Sequence, residues 1–223
     1  MRTSTGSRPG FVVGLTAEAR VADRFGYPVC VGGGTPAGAA EAAYQLVEQG
    51  ANALVSFGLA GGLDPALRPG ALVIPNSILS EGHVYATEPT LADRFGGLTG
   101  HCLVADALAA TDAAAKLRLH TETGAHAIDL ESGSVARVAL AHGLPFVVVR
   151  AISDAADRDL PPAALHALDQ RGRIDLMRVL GSLLRQPRQL PALLSLASDA
   201  MLARRALVGL TTRRLSGPQF QPA

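Results

Sequence analysis

The sequence predicts an α/β protein of three layers, in which a central, twisted, mixed sheet lies between two layers of helices. Two observations predict this class. Short apolar runs that end at glycines alternate with helical patterns up to about residue 160. The 223 residues, 48% hydrophobic and 17% charged, are enough for one sizeable core and exclude a disordered chain.

The strands are predicted from apolar runs, taken in chain order. The run at 52–57 is expected to stop in a glycine turn at Gly58 to Gly62, and the run at 145–152 is the most hydrophobic of the chain. Such a strand is expected at the centre of the sheet, covered on both faces. The full set of predicted strands is 11–15, 27–31, 52–57, 71–74, 101–104, 125–130 and 145–152.

The helices are predicted from their start and stop signals. Thr35 and Pro36 indicate the N-cap and first turn of a helix that runs to Glu48, and a second helix covers 131–142. Past residue 162 only helical patterns remain. We therefore divide the chain into a domain at 1–170 and a helical, basic extension of it at 171–223, which carries nine Arg against two Asp.

Composition and charge exclude several classes of protein. The net charge is +1, and basic residues are not interleaved with aromatic ones, so no nucleic acid is expected as a partner. No signal peptide precedes the first strand and no run of about 18 apolar residues occurs, which predicts a soluble, cytoplasmic protein. No metal-ligand spacing is present, so neither a metal nor a cofactor is expected.

Polar residues follow the predicted strands at four places, where ligands of α/β sheets bind. These are Glu18, the glycines from Gly58, the acidic run from Asp129 to Ser132, and the segment from Arg150 to Asp154. Taken singly, each has an ordinary structural explanation as a cap, a turn or a charge at a helix end. Their combination is what carries information.

The combination resembles the purine nucleoside phosphorylase and nucleosidase superfamily. The segments GLTAEARVA, SFGLAGGLDPALRPGALVIP, AIDLESGSVARVA and PFVVVRAISDAAD occur in the order and spacing of that superfamily, over roughly residues 11 to 160. The helical segment VLGSLLRQPRQLPALLSLASDA resembles the hopanoid-associated phosphorylases. This resemblance implies cleavage of an N-glycosidic bond that releases adenine, with adenosylhopane as the substrate.

The resemblance also implies roles for individual residues. Asp154 is expected to be the general acid that protonates the leaving purine, for which it must carry a proton, a state that burial favours. Ser153 and Arg150 are expected to hold Asp154 in position, with Arg150 as structural support. Glu131, helped by Ser132, is expected to bind the ribose. The substrate-binding residues predicted as a whole are Gly58, Leu59, Leu130, Glu131, Ser132 and Ser153.

The nucleophile decides between hydrolysis and phosphorolysis. Phosphate needs a cage of cations, but Ser56 and Leu59 stand where the phosphorylases have Arg and Ser. Glu18 is available as a base for water, although it falls one residue from the position expected from the methylthioadenosine enzymes. Hydrolysis is therefore the favoured prediction, with Arg20 as the alternative phosphate ligand if its loop turns inward.

Three other functions stay open on the sequence alone: phosphorolysis of the same bond, a methylthioadenosine/S-adenosylhomocysteine nucleosidase, and a nucleoside-sensing module without catalysis. Gly133 replaces a second glutamate of the methylthioadenosine enzymes, which disfavours that substrate. A homo-oligomer is expected. Residues 171–214 are expected either to meet the inner face of the membrane, where a lipid-linked nucleoside would be found, or to pack on the sheet. The membrane alternative predicts that removal of the chain after Pro187 leaves a folded enzyme.

Overall fold

The computed structural model describes residues 8–105, 110–161, 182 and 185–215. Its strands are β1 (Pro9–Val13), β2 (Val29–Val31), β3 (Ala53–Gly62), β4 (Leu72–Val73), β5 (Ser77–Ser80), β6 (His83–Ala86), β7 (Cys102–Ala105), β8 (Ala127–Asp129) and β9 (Phe146–Asp154). Its α-helices are α1 (Thr16–Ala22), α2 (Pro36–Glu48), α3 (Pro89–Ala92), α4 (Ala113–Thr123), α5 (Ser132–Ala141) and α6 (Leu190–Leu215).

The strands form one mixed sheet in which β3 is the central element. The strand order is β2-β1-β3-β8-β7-β5-β6, and β9 lies against β3 with β4 on its far side. β3 pairs with β1 and β9 in parallel, whereas its last two residues pair antiparallel with β8. Three parallel strands therefore end at the same edge, which is where the candidate site forms.

Helices cover both faces of this sheet, as the sequence predicts. Val12 and Val148 face one core together with residues of α2 and α5. Phe11 and Val149, which point to the opposite face, pack into a second core with residues of α1, α3 and α6. Alternate residues of both strands are fully buried, because each side of the sheet is covered. The predicted three-layer α/β class with a C-terminal helical segment is confirmed.

The predicted glycine turn after residue 57 is wrong, because β3 continues to Gly62. Glycine is unfavourable in strand interiors unless another group approaches the backbone closely. Side chains do so here: a Cβ on Gly58 would lie 2.5 Å from the Glu18 carboxylate, and one on Gly61 would lie 3.1 Å from the Ile128 side chain. The glycines in this segment thus make room for the site rather than reverse the chain.

The C-terminal helix α6 is partly a core element. Its second half buries Ala203, Leu207 and Leu210 against the core that contains β9. The expectation that the chain after Pro187 can be removed without unfolding is therefore corrected, since three buried apolar side chains would be lost. The part of the extension at 171–181 lies outside the described residues. Within the described ranges, no helix is both long and apolar enough to cross a membrane.

Candidate active site

The buried polar residues gather at the edge where β1, β3 and β9 end. Nearly every polar side chain expected at the site is withdrawn from solvent there, which is unusual for ionisable groups and costly unless they are paired. Two groups of contacts satisfy them. We call them the Arg150 cluster (Glu18, Ser56, Asp129, Glu131, Ser132 and Arg150) and the Asp154 pair (Lys116 and Asp154).

Arg150 is the centre of the first group and is 1% exposed. Its Nε donates to Asp129 Oδ2 at 2.6 Å, and one terminal nitrogen, Nη2, donates to Glu131 Oε2 at 3.1 Å and to Ser56 Oγ at 2.8 Å. Ser132 Oγ accepts from the same nitrogen at 3.2 Å. The other terminal nitrogen, Nη1, is buried and has no hydrogen-bond partner among the described residues.

Glu18 is placed beside this free nitrogen by the first turn of α1. Its carboxylate accepts the backbone N–H of Leu15 at the helix start and that of Leu59 on β3, both at 2.8 Å. A Cβ on Gly58 would touch both Glu18 Oε1, at 2.5 Å, and Arg150 Nη1, at 2.6 Å. One carboxylate oxygen and one unpartnered guanidinium nitrogen therefore flank the same point on β3.

The cluster carries three carboxylates and a single guanidinium, and the titration of its members reflects this. Burial raises the pKa of Glu131 to about 7; Arg150 opposes the rise, and the charges of Glu18 and Asp129 add to it. Burial also raises the pKa of Glu18, against Arg150 and the backbone N–H donors. The pKa of Arg150 is raised, because the three carboxylates outweigh its own burial.

Gly14, at the end of β1, is the residue that lets Glu131 enter the cluster. A Cβ at this position would lie 2.0 Å from Glu131 Oε1, closer than any real contact. Glu131 stands just before α5, and its other oxygen, Oε2, receives Arg150. The sequence pattern gave no sign of this close approach, because Gly14 reads simply as the end of the first strand.

Asp154 forms the second group with a residue that the sequence does not single out. Lys116 Nζ donates to Asp154 Oδ2 at 2.5 Å, and the two side chains are 1% and 9% exposed. Ser153 Oγ donates to the other carboxylate oxygen at 2.8 Å. The ammonium of Lys116 thus compensates the charge of the buried carboxylate.

The loop that follows Asp154 is held from two helices. Lys116 also donates to the carbonyl oxygens of Ala155 and Arg158, at 2.9 and 3.0 Å. The side chain of Arg158 reaches α6, where it contacts Ser195 and lies 3.1 Å from Asp199 Oδ2. The position of Asp154 thus depends on α4 as well as on its own strand.

The structure brings the expected residues to one sheet edge but places Arg150 and Asp154 in two different hydrogen-bonded groups. Arg150 was expected to support Asp154, yet its bonds go to Asp129, Glu131 and two serines, because Asp154 lies four residues further along β9. Ser132 is fully buried and donates to Asp129, so its hydroxyl supports the cluster rather than facing a ligand.

Three further predicted positions can be placed. Leu59 contributes its backbone N–H to Glu18, and Leu130 is half-buried between β8 and α5. Arg20 is exposed, and a separation of two residues on α1 turns it away from Glu18. The inward turn that phosphate binding by Arg20 requires is therefore absent from this structure.

Sequence reasoning missed Lys116, and it missed the central role of Asp129 in the Arg150 cluster. Lys116 is the one buried residue of α4, but it stands in the stretch AAAKLRLH, where no apolar periodicity marks an inward face. Asp129 belongs to the acidic run that the pattern singled out, yet only the fold shows that it pairs with Arg150. In the ranges that the structure covers, no group of three or more His, Cys, Asp or Glu side chains is arranged to hold a metal.

The fold and the site define an α/β protein with paired, buried acids at the carboxyl ends of parallel strands, a class that binds small molecules there. Comparison with known proteins makes the assignment specific. The family model of the phosphorylase superfamily matches residues 25–111 and 98–185, more than half of the chain. The chain therefore belongs to the phosphorylase superfamily, which confirms the resemblance to the purine nucleoside phosphorylase and nucleosidase superfamily.

The curated relatives are nucleosidases. The sequence is 27% identical to a 5′-methylthioadenosine/S-adenosylhomocysteine nucleosidase of Mycobacterium bovis over 161 residues, which covers 49% of this chain and 62% of the relative. A nucleosidase of the same name from Treponema pallidum is 44% identical over 46 residues, covering 21% of this chain and 17% of its own. The chain thus spans less than two thirds of the length of these relatives.

Solved structures share the fold over nearly the whole chain. Futalosine hydrolase of Helicobacter pylori matches with a TM-score of 0.66 at 15% identity, over 95% of this chain and 100% of its own. A mutant methylthioadenosine/S-adenosylhomocysteine nucleosidase of the same organism, with 5′-methylthioadenosine in its active site, matches with a TM-score of 0.65 at 16% identity, over 94% and 100% of the two chains.

Proposed function

We propose that this protein is a purine nucleosidase that hydrolyses the N-glycosidic bond of an adenine nucleoside and releases adenine. Glu18 acts as the base that activates water, Glu131 binds the ribose hydroxyls, and Asp154 delivers a proton to the leaving purine. Family membership and the nucleosidases among the relatives support this class of reaction. The non-catalytic alternative, a nucleoside sensor, leaves these buried acids without a use.

The observation that carries the proposal is that Glu18 Oε1 and the unpartnered Nη1 of Arg150 flank one point on β3. A water bound beside these two groups would donate to the carboxylate and accept from Nη1, which leaves one lone pair for attack on the sugar. Glu18 is fixed by two backbone donors, so little reorganisation is needed when it takes the proton.

The same cluster argues against phosphorolysis. A phosphate dianion needs several cations, but here it would meet Asp129, Glu131 and Glu18 with one guanidinium already shared among them. Net negative charge in a buried site repels an anion and tolerates neutral water. Hydrolysis is therefore the function that the charges favour.

At the other end of the bond, the electron pair of the C1′–N9 bond passes to the purine as the sugar becomes an oxocarbenium ion. A proton delivered through Asp154 to N7 neutralises the departing base. The ammonium of Lys116, whose Nζ lies 2.5 Å from Asp154 Oδ2, is the donor from which the carboxylate takes this proton as it passes it to the purine.

The substrate in this proposal is adenosylhopane, and the methylthioadenosine nucleosidase activity of the relatives is the alternative. The first half of α6 supports contact with a lipid surface, since Leu190, Leu194 and Met201 are each about half exposed or more. Arg204 and Arg205 are exposed on the same helix, and arginines favour anionic lipid. A peripheral membrane contact through 171–214, like the homo-oligomer, stays a prediction.

The test is mass spectrometry of the sugar product formed from adenine nucleosides in H₂¹⁸O, with and without phosphate. We expect the free sugar carrying ¹⁸O at C1′ under both conditions, together with adenine. A sugar 1-phosphate that forms only with phosphate would replace hydrolysis by phosphorolysis. Absence of adenine from every nucleoside offered would favour the sensor.

A further inference from the structure

The turn that follows Asp154 provides most of the acceptors that hold Lys116. The ammonium of Lys116 donates to three oxygens: Asp154 Oδ2 at 2.5 Å, the Ala155 carbonyl at 2.9 Å and the Arg158 carbonyl at 3.0 Å. Since an ammonium has three donors, Lys116 is saturated. Two of the three acceptors belong to the turn, which is closed by the bond from the Arg158 N–H to the Ala155 carbonyl at 3.2 Å. The contact between Lys116 and Asp154 therefore depends on where the turn lies.

The side chain of Arg158 connects this turn to the C-terminal helix α6. Its Nη1 contacts Ser195 Oγ and lies 3.1 Å from Asp199 Oδ2, and the side chains of Arg158 and Asp199 are 35% and 14% exposed. A second ion pair on the turn, between Arg68 and Asp157, is longer at 3.7 Å, and both of its side chains are 72% exposed. Exposed pairs are screened by water and contribute little. Of these two ion pairs, the one with α6 is therefore expected to fix the turn.

We propose that Arg158 is a positioning residue, which ties the turn after Asp154 to α6 and thereby keeps Lys116 in contact with Asp154. This inference rests on the proposed function, in which Asp154 passes a proton to the leaving purine. Without the side chain of Arg158, the turn can shift and carry its two carbonyl oxygens away from the ammonium. Proton transfer requires donor and acceptor within hydrogen-bond reach, so a small shift of the turn slows it.

The rest of the loop limits the shift to a displacement rather than an unfolding. Asp159 accepts the N–H of Ala113 at 2.8 Å, and the N–H of Leu160 donates to the Thr111 carbonyl at 2.8 Å. These bonds attach the far end of the loop at the start of α4, and they do not involve Arg158. A variant of Arg158 should therefore keep the fold and change the position of the turn.

The first experiment measures kcat and KM for adenine release. Arg158→Ala should lower kcat at least about tenfold and change KM less than about twofold, because the turn acts on the proton and not on the sugar. Arg158→Lys keeps a cation for Asp199 and should retain at least about a third of the wild-type kcat. Asp157→Ala is the matched control, since it removes the exposed ion pair from the same turn, and it should keep the wild-type values.

A double variant tests whether Arg158 acts through Asp154. In Asp154→Asn, which has no proton to pass, adding Arg158→Ala should lower the remaining kcat by less than about twofold. Asp199→Ala covers the case in which Arg158→Ala does not fold, since it removes the partner on α6 and alanine preserves the helix. This variant should lower kcat at least about threefold.

Amide hydrogen exchange over residues 154–160 tests the position of the turn without any turnover. Exchange should be at least about tenfold faster in Arg158→Ala than in the wild type, and unchanged in Asp157→Ala. Unchanged exchange in Arg158→Ala would overturn the inference, as would a wild-type kcat in that variant or an equal loss in the Asp154→Asn background. A wild type that releases adenine while giving any of these results loses the inference alone. A wild type that releases no adenine from any nucleoside loses the proposed function, and the exchange rates still decide whether Arg158 fixes the turn.

Discussion

The Arg150 cluster and the Asp154 pair lie at the same sheet edge but balance their charges differently. Three carboxylates share one guanidinium in the cluster, and burial, followed by the charges of Glu18 and Asp129, raises the pKa of Glu131 to about 7 against the effect of Arg150. In the pair, one ammonium meets one carboxylate at 2.5 Å. The excess of negative charge is therefore confined to the cluster that contains Glu18, the proposed base.

The difference shows how one fold can separate two acid–base roles. A base that activates water needs a carboxylate whose ionised form is not too stable, and burial raises the pKa of Glu18 in this direction. A group that passes a proton to the purine needs a fixed geometry, which a one-to-one pair with a saturated lysine provides. Each of the following experiments changes one of the two groups.

Glu18→Gln should have the largest effect, since it removes the base from the cluster. We expect adenine release to fall at least about a thousandfold in phosphate-free buffer, because an amide cannot take the proton of water. The matched control is Arg20→Gln, which changes the exposed face of the same helix and should retain wild-type activity. A rate that depends on added phosphate and on Arg20 would reverse the assignment.

Asp154→Asn tests the pair and should lower turnover at least about a hundredfold, with a smaller change in KM. The amide keeps the shape of the side chain but cannot pass a proton to the purine. Near-normal turnover in the purified, folded variant would remove Asp154 from the mechanism.

Gly58→Ala tests whether Glu18 and Arg150 must flank one point. The new Cβ would meet both groups at 2.6 Å or less and must displace them. A fall in kcat/KM of about thirtyfold is expected, since small displacements of positioned groups are costly. Gly62→Ala on the same strand, where the nearest atoms are 3.1 Å or more away and none belongs to a side chain of the cluster or the pair, should lose at most about fivefold. Equal losses in the two variants would show that the strand, not the cluster, is sensitive.

Glu131→Gln gives the smallest expected effect, which is a change in how kcat/KM depends on pH. With the pKa of Glu131 near 7, the wild type gains its ribose acceptor as pH rises through 7, so kcat/KM should rise over that range by up to about tenfold. The rise should be smaller in the variant.

The same pKa also affects stability. The folded state binds this proton more tightly than the unfolded state, so the wild-type free energy of unfolding should fall from pH 4.5 to 7 and fall less in Glu131→Gln. Identical profiles in denaturation and kinetics would contradict the pKa of Glu131.

Much of the fold follows from local pattern. The helix that begins after Thr35 matches its prediction, because an N-cap and a proline fix its start. The hairpin of β5 and β6 and the helix α4 were not predicted, since neither carries a strong periodicity. The glycines of β3 were misassigned to a turn, because their purpose depends on side chains that arrive from elsewhere in the chain.

The site residues that lie within the family motifs could be predicted, and those outside the motifs could not. Glu18, Glu131 and Asp154 reach one sheet edge, as strand-end residues should. The link between Lys116 and Asp154 spans 38 residues and depends on how α4 docks, which no motif in this sequence encodes. Whether each predicted residue performs its role stays a prediction for the experiments above.

The burial of α6 also bears on how this sequence can diverge. Leu207 packs into the core that contains β9, and Asp199 on the same helix pairs with Arg158 in the loop after Asp154. A substitution in the C-terminal helix therefore reaches the loop of Asp154, the proposed proton donor, across a single layer of side chains. Among related sequences, replacements at the inward positions of α6 should be accompanied by compensating replacements in β9 and its loop. The outward positions at Leu194 and Met201 should vary independently, according to the environment that each protein contacts.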